Sequence, residues 1–246
     1  MVGCRMCSSS PFRLASLRRS TTVRFLTLGL TGASLLAACS DPAPAPSTSG
    51  PAPTAQVTPV LTGQLSGAGT AGVNLLSGNT VLASAPTDAA GKFTLILPSA
   101  EQIAPVKKSL ADGLLTDLGC TGTLTLGDAS AQGFGFGTLS AGGGKTYGDL
   151  SVSKTLLTRN VSGRAYLYAD RPTTLVGPLN CQAATGYPTT VQVSVNAATG
   201  WNVLSVSITG GLTLGGIVVN GTAGNGTLAP GSVWTGVDEL KGQLNL

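Results

Sequence analysis

Short runs of alternating apolar and polar residues, punctuated by glycine-rich turns, constrain this chain more than any other feature. Thr87-Asp88-Ala89-Ala90-Gly91 is a turn signal, and Phe93, Leu95 and Leu97 then alternate with Lys92 and Thr94. Val191-Gln192-Val193-Ser194-Val195 repeats the pattern, and Phe134 and Phe136 alternate across glycines. Successive strand side chains point to opposite faces, so Phe93, Leu95 and Leu97 are expected to face a core. Charged residues make up only 10% of the chain and 35 residues are glycine, a mixture that favours many short strands joined by tight turns. Strands are also expected around Val161–Asp170, Val203–Ile208 and Gly216–Val219, with Asn196–Gly200 turning two of them into a hairpin. The expected fold is mainly β, ending in an antiparallel sandwich or barrel-like domain over 120–246.

One helix is expected, over 99–119. Ser99 suits its N-cap, and Ile103, Val106, Leu110, Leu114 and Leu118 recur at near-helical spacing before Gly119. Pro105 falls in the first turns, where its missing donor is tolerated.

The basic pI of about 8.9 invites a nucleic-acid reading until the charge is located. Arg5, Arg13, Arg18, Arg19 and Arg24 lie in the first 39 residues with no acid, so the other nine Lys and Arg face ten acids. Beyond residue 39 the chain is close to neutral, and no nucleic-acid partner is expected.

Phe25–Ala38 is an uncharged run of fourteen residues behind those arginines. A spanning helix needs about 20 apolar residues, so this is a signal peptide and not a membrane span. It ends in Leu36-Ala37-Ala38-Cys39, which resembles the lipobox of bacterial lipoproteins. The resemblance implies that 1–38 is removed and that Cys39 carries a diacylglyceryl group, giving a membrane partner through the anchor. Arg18-Arg19 is similar to a twin-arginine signal, but Ser20-Thr21-Thr22-Val23 lacks the hydrophobic pair that should follow. Ser40 does not match the inner-membrane retention signal of enterobacterial lipoproteins, which points to the outer membrane or cell surface. Residues 39–58 are rich in Pro, Ala and Ser. About twenty such residues at roughly 3 Å each reach as far as about 60 Å.

Residues 59–98 resemble the prealbumin-like and carboxypeptidase-regulatory-like modules of bacterial surface proteins. The likeness rests on Leu61-Thr62-Gly63 and on the Thr87–Leu95 hairpin. It implies a short antiparallel stalk or binding module, without the Lys/Asn pair of an isopeptide cross-link. Thr199-Gly200-Trp201-Asn202-Val203 is similar to a turn-to-strand segment of other bacterial surface β-domains, too short to imply a function.

Cys120 and Cys181 are the only thiols after Cys39, and in an exported chain a disulfide between them is expected. Metal ligation is the rival, but two thiols without histidine make a poor site. The chain has no histidine, which removes the commonest general base and the usual triads. No catalytic, metal or cofactor residues are expected. Asp149, Asp170 and Asp238 are the acids that could meet as paired carboxylates. Gly142-Gly143-Gly144-Lys145-Thr146 has Leu139 where a phosphate-binding loop needs glycine. Tyr166, Tyr168, Trp201 and Trp234 are candidates for an exposed ligand platform, although core packing is the default for tryptophans in so aromatic-poor a chain.

Three functions follow as expectations. The first is a non-enzymatic, lipid-anchored envelope protein serving as a structural or binding scaffold, with envelope proteins or glycans as partners. The second is a carbohydrate- or cell-wall-binding module, and the third a carboxylate-dependent hydrolase.

Overall fold

The computed structural model describes residues 60–67, 69, 72–113, 119–185, 187–213 and 216–244. Cys39, the signal segment and the linker lie outside the described residues. The protein is mainly β and is built as a barrel-like sandwich of two sheets.

The seven-stranded sheet runs in the order β3 (Thr80–Pro86), β2 (Gly72–Ser77), β9 (Thr138–Ala141), β10 (Lys145–Gly148), β17 (Ser232–Gly236), β1 (Val60–Leu65), β4 (Lys92–Ile96). Asp88 accepts from the Ala90 and Lys92 amides at 2.9 and 2.8 Å, which sets the turn into β4. Phe93, Leu95 and Leu97 are buried as their alternation requires. One strand in from the β4 edge, β1 lies parallel to β17, with Gly63 opposite Ser232 and Leu65 opposite Trp234. Strands 60–96 therefore do not close a module of their own. Leu61, Val73 and Leu95 share one core with Phe134, Tyr166, Trp201 and Trp234. Under forty residues of short strands bury too little surface to stand alone, and the C-terminal strand supplies the missing wall.

The ten-stranded sheet runs β5 (Lys108–Ser109), β8 (Gln132–Phe136), β12 (Thr158–Ala169), β15 (Gly200–Thr213), β16 (Gly216–Asn225), β14 (Thr189–Ala197), β13 (Thr173–Asn180), β6 (Thr121–Gly122). β11 (Leu150–Lys154) pairs with β12, and β7 (Thr125–Leu126) with β13. β12 is a wall shared by two cores. Tyr166 and Tyr168 enter the core between the sheets, whereas Leu167 and Ala169 enter a second one with Leu175, Val191, Val193 and Leu204.

Asn196–Gly200 is not a hairpin turn. β16 inserts between β14 and β15, parallel to the former and antiparallel to the latter, so the two strands diverge from a corner. Asn202, buried there, satisfies the bent backbone: it accepts from the Ala198 amide at 2.9 Å and donates to the Ala198 and Gly200 carbonyls at 2.8 and 2.9 Å. Asn225 bridges the amide and carbonyl of Asn196, both at 2.8 Å, where the wedge opens.

The continuous helix expected over 99–119 is also corrected. Ser99 and Gln102 form a capping box, but α1 (Ala100–Ile103) stops after one turn. Pro105 has no amide for the Glu101 carbonyl and its ring crowds that carbonyl. The chain then passes through β5 before helical backbone resumes at 110–113. Leu114 and Leu118 lie outside the described residues. Two further short helices follow, α2 (Gln182–Thr185) and α3 (Val237–Leu244).

Cys120 and Cys181 form a disulfide across a sequence separation of 61, tying β6 to the end of β13. On the chain-entropy model a loop of that size stabilises the fold by about 4 kcal/mol.

Candidate functional site

Asp149 is the single residue between β10, in one sheet, and β11, in the other. The chain changes sheets there, and the backbone is pinned by the Arg164 amide donating to the Asp149 carbonyl at 2.9 Å. Gly163 permits the approach, since a Cβ at that position would collide with the same carbonyl. Arg164 and Tyr166, two apart on β12, project from one face toward the Asp149 carboxylate. The Tyr166 hydroxyl donates to Oδ2 at 2.9 Å, and Arg164 Nη1 approaches Oδ1 and Oδ2 at 3.4 and 3.5 Å. Arg164 Nε donates to the Thr227 carbonyl at 2.9 Å, which fixes the guanidinium plane.

A carboxylate only 4% exposed needs this pairing, because an isolated buried charge is strongly disfavoured. The same arrangement acts back on the phenol. Burial first, and then the negative charge of Asp149, push the Tyr166 pKa far above its ordinary value, so the hydroxyl stays a proton donor.

Outside this cluster opens a cleft of about 580 Å³ between the sheets. Its wall is rich in hydroxyls, with Ser151, Ser162, Ser205, Thr227 and Ser232 beside Arg164. The Ser232 hydroxyl is buried and has no hydrogen-bond partner among the described residues. Asp149 is the one carboxylate among the described residues lining the cleft.

The aromatic candidates do not form a surface platform. Tyr166, Tyr168, Trp201 and Trp234 are all buried. Tyr166 is sandwiched between Phe136 at 5.0 Å and Trp234 at 6.0 Å, and Trp201 sits edge-on to Phe134, Phe136 and Tyr168. With so few aromatics available, the space between the sheets takes nearly all of those among the described residues, and stacking there adds to their burial.

The three acids considered as a catalytic group are engaged by different partners. Asp149 is in the cleft cluster. Asp238 lies on α3, 3.8 Å from Lys241 and almost fully exposed. Asp170 accepts from the Gln132 amide at 2.9 Å, Lys107 at 3.2 Å and Arg171 at 3.3 Å. Desolvation would raise the Asp170 pKa, but the Gln132 amide, Lys107 and Arg171 together hold it below the ordinary carboxylate value. Arg171 also reaches Asp128 at 3.9 Å, whose pKa is lowered chiefly by the Ser130 hydroxyl and amide. That knot fastens the β12–β13 turn to the 128–132 loop.

The chain matches no family model, no curated protein and no solved structure. Among the described residues no three His, Cys, Asp or Glu side chains gather as metal ligands. The cleft cluster was the feature that sequence reading missed. Its signal was faint: a lone Asp after Gly, and an Arg-x-Tyr pair on one strand face fifteen residues on.

Proposed function

We propose that the protein is a non-enzymatic, lipid-anchored component of the cell envelope whose β-sandwich acts as a binding or structural scaffold. The observation that supports this most directly is the Cys120–Cys181 bridge. It engages both other cysteines that remain once 1–38 is removed, leaving Cys39 of the lipobox-like Leu36-Ala37-Ala38-Cys39 for acylation. Disulfides persist outside the reducing cytoplasm, in keeping with export. The cleft agrees with a binding role, since Asp149, Arg164 and Tyr166 are bonded to one another and the phenol is held protonated. Cell fractionation tests the reading. The native chain should partition with membranes, and Cys39→Ser should abolish its metabolic labelling with palmitate; labelling that persists in the variant would refute the anchor.

A second reading, glycan binding, draws on the hydroxyl-rich cleft in place of the buried aromatics. Arg164 and the surrounding serines can exchange hydrogen bonds with a neutral polyol. A polysaccharide array probed with the native chain and with Arg164→Ala tests it; equal binding by both, or none by either, would remove this reading.

A further inference from the structure

We propose that one end of the ten-stranded sheet is a lipid-contacting tip that presses Leu156 and Leu157 into an anionic membrane surface. These leucines close the β11–β12 hairpin and are 94% and 57% exposed. The turn is braced from beneath. The Thr155 amide donates to the Thr158 carbonyl at 3.0 Å, the Thr158 amide to the Thr155 hydroxyl at 3.1 Å, and Arg159 Nη1 to the Thr155 and Thr158 carbonyls at 2.8 and 3.1 Å. A turn held this way cannot easily fold its leucines back onto the sheet.

The apolar surface continues sideways. Thr158 is opposite Gly211, and Gly211 is opposite Val218, which is 43% exposed. The next residue, Val219, donates its amide to the Pro188 carbonyl, beside Tyr187. Tyr187, at 42% exposure, is the one exposed aromatic among the described residues. Tyrosine at the margin of an apolar tip suits a membrane–water interface, where one end of the ring is dry and the other wet.

Charge selects the lipid. Lys154 and Arg159 flank the leucines, and neither has a carboxylate within 4 Å among the described residues. Between Leu150 and Val237 the only acid is Asp170, just beyond the opposite end of β12. Cations without a carboxylate partner, set behind apolar residues, match a layer of anionic headgroups over acyl chains. A two-residue tip offers little of the roughly 800 Å² per partner that a stable protein interface uses. No described helix is long and apolar enough to cross a membrane.

This rests on the anchored reading, in which acylated Cys39 and the 39–58 linker keep the tip within reach of a bilayer. In the acylated, disulfide-bonded protein every native thiol is engaged, so Leu156→Cys introduces the one reactive site for an environment-sensitive fluorophore. The labelled protein is reconstituted into phosphatidylglycerol/phosphatidylethanolamine vesicles carrying nitroxide lipids, with Pro172→Cys, past the far end of β12, as control. The expected result is blue-shifted emission at the tip, nitroxide quenching at least twofold stronger than at the control, and weaker quenching in phosphatidylcholine. Leu157→Cys repeats the measurement if the first variant misfolds. A tip label as open to aqueous iodide as the control would overturn the proposal. So would cross-linking between tips of two copies in detergent without vesicles, which would mark a chain–chain contact. The mass of the Cys39 peptide separates the two readings. Acylated Cys39 with an unquenched tip removes the tip alone. Unmodified Cys39, with the label then placed in a Cys39→Ser background, removes the anchor while quenching still decides the tip.

Discussion

Tyr166→Phe removes one oxygen and leaves the ring between Phe136 and Trp234 unchanged. What is lost is the 2.9 Å bond to a buried carboxylate. A hydrogen bond to a charged group is worth about 1.5–3 kcal/mol, so the variant should be about 2 kcal/mol less stable at neutral pH. Arg164, at 3.4 Å and partly exposed, compensates little of this. The pH dependence makes the test specific. The phenol's pKa is raised in the folded state above its ordinary 10.0, so its contribution is complete below pH 10 and falls as pH rises above it. In that range the native chain should lose about 1.4 kcal/mol per pH unit through this group, and the variant should lose nothing through it. The stability gap should therefore narrow above pH 10 and close near pH 11.5 on these order-of-magnitude figures. Urea unfolding of both proteins from pH 7 to 11.5, followed by tryptophan fluorescence, measures it. A gap that stays constant across the alkaline range, or a variant as stable as the parent at pH 7, would refute the view that a buried neutral phenol secures Asp149.

Reducing the Cys120–Cys181 bridge, or replacing both cysteines with serine, should cost about 4 kcal/mol in the same assay. Gly63→Ala would place a Cβ 2.6 Å from the Trp234 indole and 2.8 Å from Phe93, and overpacking of this kind should cost about 1–3 kcal/mol in thermal unfolding. Asp170 has a depressed pKa in the fold, so its contribution is present above its ordinary 3.8 and is lost as pH falls below it. Asp170→Asn should therefore lower stability at pH 6 and flatten the acid limb of the denaturation curve, as circular dichroism can follow.

The parts of the fold legible in the sequence are those fixed by neighbours along the chain. The Thr87–Leu97 hairpin was readable because Asp88 sets the turn and the following residues alternate. The disulfide was readable from counting. The parallel pairing of β1 with β17 had no local signal, because it joins residues some 170 positions apart. Periodicity misled at 99–119, where the apolar spacing serves two cores at once: Ile103 packs into the first and Leu110 into the second. At Asn196–Gly200 the turn chemistry was correct but the consequence was not, because Asn202 and Asn225 satisfy a corner into which β16 inserts. The alternation of Tyr166 with Tyr168 correctly gave them one shared face, yet the sequence could not say that the face looks inward. Asp149, Arg164 and Tyr166 converge only because the chain switches sheets at Asp149.

Whether the sandwich hangs from a lipid at Cys39 is tested most directly by intact-mass analysis of protein extracted from its own membranes. The expected species is a chain that begins at residue 39, heavier than its sequence by an acylated glycerol on that cysteine. A chain that retains residues 1–38, or one whose Cys39 carries no lipid, would contradict it.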